Sequence, residues 1–175
     1  KVVNVLVIGS GLSGLSCAIT LAENGINSTV VSPYPSERAQ SIMAAGGINA
    51  SIGNDDSVEI HANDTLKSGC NIAGESVVKG LCSASPDIIR WLERLGVVFS
   101  RDESGEVALR AFGGQSRDRT AYAGASTGKQ IMSALIREAR KYEDKKVIKR
   151  LLGRHFHSAL IKDGKCYGVM IYNEN

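Results

Sequence analysis

An apolar, β-branched run from Val2 to Ile8 breaks into Gly9-Ser10-Gly11-Leu12-Ser13-Gly14 and resumes as a helical pattern through Leu15, Ile19, Leu21 and Ala22. A strand, a G-x-G-x-x-G turn and a helix in that order turn a glycine pattern into a dinucleotide-binding expectation. Gly9 allows the tight turn, Gly11 lets the backbone approach a pyrophosphate, and Gly14 lets the helix close on the strand. The helix N-terminus then offers its free N–H groups to the anion. The alternative is a β-α turn that uses glycine for packing alone; strand, triplet and helix standing in register argue against it.

Gly25-Ile26-Asn27 separates this helix from Ser28-Thr29-Val30-Val31-Ser32, so a β-α-β unit closes within the usual length. The residue that should meet the adenosine ribose, about twenty positions after the motif, is Ser32. An acid there would accept from both ribose hydroxyls, whereas serine has one hydroxyl and no charge. The usual NAD reading weakens. After Pro33-Tyr34-Pro35-Ser36-Glu37-Arg38 comes the segment Ala39-Gln40-Ser41-Ile42-Met43-Ala44-Ala45-Gly46-Gly47-Ile48-Asn49-Ala50. It is too rich in small residues for a packed strand and too apolar for a solvent loop. Such a stretch suits backbone laid against a flat ligand.

Together with Asp64-Thr65-Leu66-Lys67-Ser68-Gly69, these segments resemble the N-terminus of the flavoprotein subunit of succinate dehydrogenase and fumarate reductase, whose relatives include L-aspartate oxidase and the soluble fumarate reductases. Arg110-Ala111-Phe112-Gly113-Gly114-Gln115-Ser116, Arg119-Thr120 and Ser126-Thr127-Gly128 resemble that subunit more closely than aspartate oxidase. The resemblance runs over nearly all of the chain and covers only the opening part of the family. It implies an α/β fold: a Rossmann-like FAD-binding domain with a β-α-β dinucleotide unit, inserted helices and a C-terminal β-hairpin. Residues 1–175 would be the N-terminal part of that domain, with the capping domain and the C-terminal return lying beyond Asn175.

The same resemblance implies FAD contacts at Gly9, Ser10, Gly11, Leu12, Ser13, Gly14, Ser32, Pro33, Arg38, Gln40, Ser41, Ala44, Ala45, Gly46 and Gly47. Phe112 and Gly113 would lie near the dicarboxylate. In the membrane-bound enzymes the histidine of an Arg-Ser-His-Thr sequence carries FAD covalently, and alignment on the Gly-Gly pair puts Gln40 there. An amide cannot form that bond, so noncovalent FAD is expected. The family's reaction is hydride transfer between the flavin and the C2–C3 bond of succinate or fumarate, in electron transport. Its carboxylate-clamping residues and proton-shuttle arginine lie outside this sequence, so no catalytic residue is assigned and the chain alone is expected to be inactive. An iron–sulfur electron-transfer subunit is the implied partner, and the implied location is cytoplasmic, membrane-associated through partner subunits. Two alternatives stand beside this one: a non-catalytic FAD or dinucleotide-binding module, or half of a split enzyme; and a piece of an L-aspartate oxidase.

At 175 residues with 43% hydrophobic content, the chain reads as one soluble globular domain with a sizeable core. No apolar run is long enough to span a bilayer, and no signal-peptide pattern precedes the first strand. Cys17, Cys70, Cys82 and Cys166 lack metal-ligand spacing and read as small buried hydrophobes in a reducing compartment; a reactive role for Cys70 is the lesser alternative. Asp56-Ser57 caps a predicted helix through Val58 and Leu66; Gly74-Glu75-Ser76 starts a second, and Pro86-Asp87 a third that carries Trp91 as a core anchor and ends at Gly96.

Strand signals at 97–99 and 106–109 flank an Asp102–Gly105 turn, Thr127-Gly128 opens a helix, and 147–152 reads as a strand. Asp163-Gly164 between two apolar runs is a hairpin signal. His155 and His157 share one face of a strand, but no third metal ligand is evident. Eight Lys or Arg and three acids fall between Arg137 and Arg154, leaving thirteen basic and fifteen acidic residues elsewhere. With only Tyr142 interleaved, a solvated face is expected rather than nucleic-acid binding.

Overall fold

The computed structural model describes residues 4–173; Val2 and Val3 of the expected first strand lie outside them. The chain runs β1 (Asn4–Ile8), α1 (Leu12–Glu23), β2 (Asn27–Ser32), short 3-10 turns at Ser36–Arg38 and Gln40–Met43, β3 (Ile48–Asn49), α2 (Val58–Ser68) and α3 (Glu75–Arg94). It continues through β4 (Leu109–Arg110), β5 (Thr120–Ala121), α4 (Thr127–Asp144), β6 (Ile148–Leu152), β7 (His155–Lys162) and β8 (Lys165–Tyr172). Two compact units result, one from Lys1–Met43 with Ile131–Asn175, the other from Ala44–Gln130.

The first unit is built on a parallel sheet in the order β1-β2-β6, with Val7 opposite Val30 and Val30 opposite Arg150. Parallel neighbours need a crossover. α1 supplies the first, and α4 leads into β6 for the second. α1 buries Leu15, Ala18, Ile19 and Ala22, the i, i+3, i+4, i+7 stripe expected of a helix lying on a sheet. Fully burying Leu15 and Ile19 contributes about 1.5–3 kcal/mol for each side chain. α4 buries Met132, Leu135 and Ala139 at similar spacing. The β7–β8 hairpin turns at Asp163 (φ 50°) and Gly164 (φ 71°), the pair of left-handed residues a two-residue hairpin needs.

In the second unit Ser57 caps α2, its hydroxyl accepting from the Ile60 N–H at 3.2 Å. Ala62 on α2 meets Val78 and Cys82 on α3 in a small core. The expected break before Pro86 does not occur: α3 is one 20-residue helix with Pro86 inside it. Proline removes the N–H that would bond the carbonyl of Cys82. The Ser85 hydroxyl takes its place, donating to that carbonyl at 2.8 Å. Trp91 is only half-buried, while Ile89 and Leu92 form the buried face. β3, β5 and β4 make a small antiparallel sheet. The Asp102 carboxylate holds the expected turn by accepting from the N–H groups of Ser104 and Glu106.

Two further expectations are corrected or sharpened. Only Cys82 is buried; Cys17, Cys70 and Cys166 are exposed, because their positions fall on the outer faces of α1 and β8 and in the turn after α2, which side-chain type alone does not reveal. In the basic stretch three of the cations are tied down in ion pairs, Arg140–Glu37 at 2.7 Å, Lys141–Glu138 at 2.6 Å and Arg150–Glu143 at 2.6 Å. Among the described residues no helix is long and apolar enough to cross a membrane.

Candidate functional site

In the first unit the β1–α1 turn has the geometry an anion needs. Gly9 sits at φ 106° with its N–H on the Val31 carbonyl at 2.8 Å. A Cβ at Gly14 would fall onto the Gly9 carbonyl oxygen and within 2.9 Å of its carbon, so this glycine is what lets helix and strand close. No side chain caps α1 from Gly11, and no acid stands in its first turn. The Leu12 N–H donates to the Ser41 hydroxyl at 3.1 Å, while the N–H groups of Ser13 and Gly14 have no partner among the described residues. A helix start with free donors and no competing carboxylate fits a pyrophosphate. Gly11 has a second reason to be glycine: its Cβ would stand 3.3 Å from the Ser41 hydroxyl.

Ser32 closes β2 beside this turn and is buried. Its hydroxyl accepts from Ser10 at 2.8 Å and donates to the Tyr34 carbonyl at 2.9 Å. With the proton spent, one lone pair is left to accept from a ribose hydroxyl. Arg38 and Gln40 are exposed, Pro33 and Ser41 half-buried. Sequence reasoning missed an aromatic cluster here. His155 stacks on Tyr172 with centroids 5.2 Å apart and meets the Tyr34 ring edge-on at 6.1 Å. His157 meets the same ring edge-on at 6.4 Å. Both histidines thus reach one tyrosine ring, although the β7–β8 register shifts between Phe156 and Ser158.

In the second unit Ala44 and Ala45 are exposed, and the segment continues into β3. Arg110 at the end of β4 donates to the carbonyls of Ala45 and Gly46 and lies 4.4 Å over the Tyr122 ring. The glycines after it answer to packing. A Cβ at Gly46 would stand 3.1 Å from Cζ of Phe112, and one at Gly47 (φ 125°) 2.5 Å from the Ala121 carbonyl oxygen. Ala45, Gly46, Arg110, Phe112, Tyr122 and Gly124 line an open cavity of ≈ 720 Å³. Phe112 is 53% exposed there, and Gly113 beside it is exposed.

Behind that loop lies a buried charge cluster that no local signal reveals, because its members come from three segments. Arg119, 1% exposed, makes a two-pronged pair with Asp56 at 2.8 and 3.0 Å and a third bond to Asp64 at 2.8 Å. Burial works against charging Arg119, but the two carboxylates outweigh it and raise its affinity for the proton. Burial likewise opposes ionising Asp64; hydrogen bonds from Ser116 and Arg119 prevail and hold its carboxyl below the ordinary value. His61, on the same helix, is held below its ordinary 6.5, first by burial and then by the charge of Arg119. Among the described residues no cluster has the makings of a metal site.

The sequence matches the family described as FAD binding domain over residues 4–175. It is 38% identical to the succinate dehydrogenase flavoprotein subunit of Bacillus subtilis across 174 residues, 97% of this chain and 30% of that protein. The Mycobacterium smegmatis Sdh1 complex superposes with a TM-score of 0.91 at 28% identity, over 97% of this chain and 31% of that one. E. coli quinol fumarate reductase FrdA does so with 0.89 at 26% identity, over 96% and 28%. The chain therefore spans about 30% of the length of the relatives it matches.

Proposed function

The chain belongs to the FAD-binding domain family, and from that premise we propose that it is the FAD-binding part of a flavin-dependent oxidoreductase that interconverts fumarate and succinate or a similar dicarboxylate. The observation that carries the reading is that nearly the whole of this chain aligns, at 38% identity, with part of a succinate dehydrogenase flavoprotein subunit. When bound, FAD supplies the hydride acceptor or donor. The residues described here bind and orient. In the first unit the N–H groups of Ser13 and Gly14, with Gly9, Ser10, Gly11 and Leu12 around them, take the pyrophosphate. Ser32, with Pro33 beside it, accepts from the ribose; Arg38, Gln40 and Ser41 belong to the same cofactor, as do Ala44, Ala45, Gly46 and Gly47 of the second unit. Phe112 and Gly113 face the dicarboxylate. An iron–sulfur subunit is the electron-transfer partner this reading implies, with attachment to a membrane through partner subunits.

Gln40 has no nucleophile to offer the flavin, so the cofactor is held noncovalently. Acid precipitation of the full-length protein should leave the yellow chromophore in the supernatant. Flavin fluorescence that stays on the denatured polypeptide band would refute this.

Gly11→Val tests the phosphate site itself. Its branches would crowd the Ser41 hydroxyl, already 3.3 Å from a bare Cβ, and cover the approach to the α1 N-terminus. A loss of FAD affinity of about a hundredfold, some 2.7 kcal/mol, is expected in a folded protein. Titration of the apoprotein giving near-parental affinity would remove the pyrophosphate from this turn.

A further inference from the structure

From the second unit we infer that Asp64 is a positioning residue for the substrate: it fixes the Phe112–Ser116 loop, and through it the Phe112 ring. The inference rests on the placement of Phe112 at the dicarboxylate proposed above. Arg119 already has its charge matched by the two-pronged pair with Asp56. A second carboxylate leaves this buried group with a net negative charge, which folding alone does not require. What Asp64 adds is the capture of Ser116. Its Oδ2 accepts from both the backbone N–H and the hydroxyl of Ser116, each at 2.8 Å, besides the Arg119 guanidinium.

One turn along the same helix face, the Ser68 hydroxyl donates to the Gly114 carbonyl at 3.1 Å. Gly114 stands at φ 81°, and a Cβ there would meet that hydroxyl at 2.6 Å. α2 thus grips the loop at two points. Gln115 ties it internally, its Oε1 accepting from the Phe112 N–H at 3.1 Å, while its Nε2 donates to Thr120 at 3.0 Å and Thr120 to Asn49 at 2.7 Å. The Phe112 ring is half-exposed and rests on Gly46 and Arg110; the backbone bracket fixes the loop that carries it.

The test uses the full-length, FAD-loaded protein and two readouts: the Kd of fumarate from the flavin difference spectrum, and amide hydrogen exchange over 110–117. Asp64→Ala should weaken fumarate binding about tenfold and speed exchange in that peptide at unchanged flavin content. Asp64→Asn, which keeps an acceptor at the Oδ2 position, should restore binding to within about threefold of the parent. A generally loosened fold would not be rescued in this pattern. Phe112→Ala is the control for the underlying reading. If it weakens fumarate binding and Asp64→Ala does not, the positioning role is overturned and the placement of Phe112 stands. If neither weakens binding, both are overturned. Should Asp64→Ala fail to accumulate as folded protein, Ser68→Ala combined with Ser116→Ala removes two anchors from the exposed side, and parental fumarate affinity in that variant overturns the inference.

Discussion

Gly14→Ala is expected to cost at least about 3 kcal/mol of stability, the upper end of what overpacking a filled site does, and to strip the flavin with it. The methyl group would be placed on the Gly9 carbonyl oxygen, with the Gly9 carbon at 2.9 Å and a Val7 methyl at 3.4 Å. None of these can step aside cheaply. Gly9 is held at φ 106° with its N–H on Val31, and Val7 is paired into β1 opposite Val30. The only relief is to lift α1 off the sheet, which exposes Leu15 and Ile19. Gly11 differs, because its nearest neighbour is a hydroxyl that can rotate. So the third glycine should matter to the fold and the second to the ligand. Urea unfolding of the full-length protein with flavin absorbance as a second probe separates the two. A Gly14→Ala protein that unfolds within about 0.5 kcal/mol of the parent with its flavin retained would contradict the packing account.

The β-α-β unit was legible because its determinants are local. Gly9, Gly14 and the Leu15–Ile19–Ala22 stripe are each read within one turn of the chain. So was the β7–β8 hairpin, where Asp163-Gly164 must adopt left-handed conformations whatever surrounds them. The helix through Pro86 was illegible as a continuous element: the compensation comes from a serine one residue earlier, a side-chain-to-backbone bond that propensities do not encode. Gly46 and Gly47 were read as backbone laid against a flat ligand; the fold adds a second demand for glycine there, since Phe112, Thr120 and Ala121 occupy the space a Cβ would need. Arg110 stood inside the motif that carries the resemblance, yet its work on the Ala45 and Gly46 carbonyls depends on a pairing some sixty-five residues apart. The Asp56–Asp64–Arg119 cluster is of the same kind. Asp56 was read as part of a helix cap and Asp64 and Arg119 as motif residues, and only the fold brings their charges together.

Arg119→Met should be the most destabilising of the charge changes, by about 3–5 kcal/mol at neutral pH, because it leaves buried carboxylates without their cation. The Asp56 side chain has no exposure at all, so water cannot substitute for the guanidinium there, whereas that of Asp64 is 17% exposed. The comparison is Arg140→Met, which breaks a bridge to Glu37 whose partners are 63% and 46% exposed; it should cost no more than about 1 kcal/mol. Adding Asp56→Asn to Arg119→Met should recover part of the loss, since the cluster then holds a single carboxylate. In the parent protein the cluster also sets the acid limb of stability. His61 has a folded value below its ordinary 6.5, so the unfolded chain takes up its proton first, and stability falls as pH drops below 6.5 toward the folded value. The Asp64 contribution, with a folded value below the ordinary 3.8, is present above 3.8 and is lost as pH falls further through that folded value. His61→Phe should therefore flatten the decline that begins near 6.5 and leave the lower one in place. Urea midpoints measured across this range decide the matter: an Arg119→Met penalty below about 1 kcal/mol at pH 7, or an unchanged upper limb in His61→Phe, would mean that the buried charges are solvated in a way this geometry does not allow.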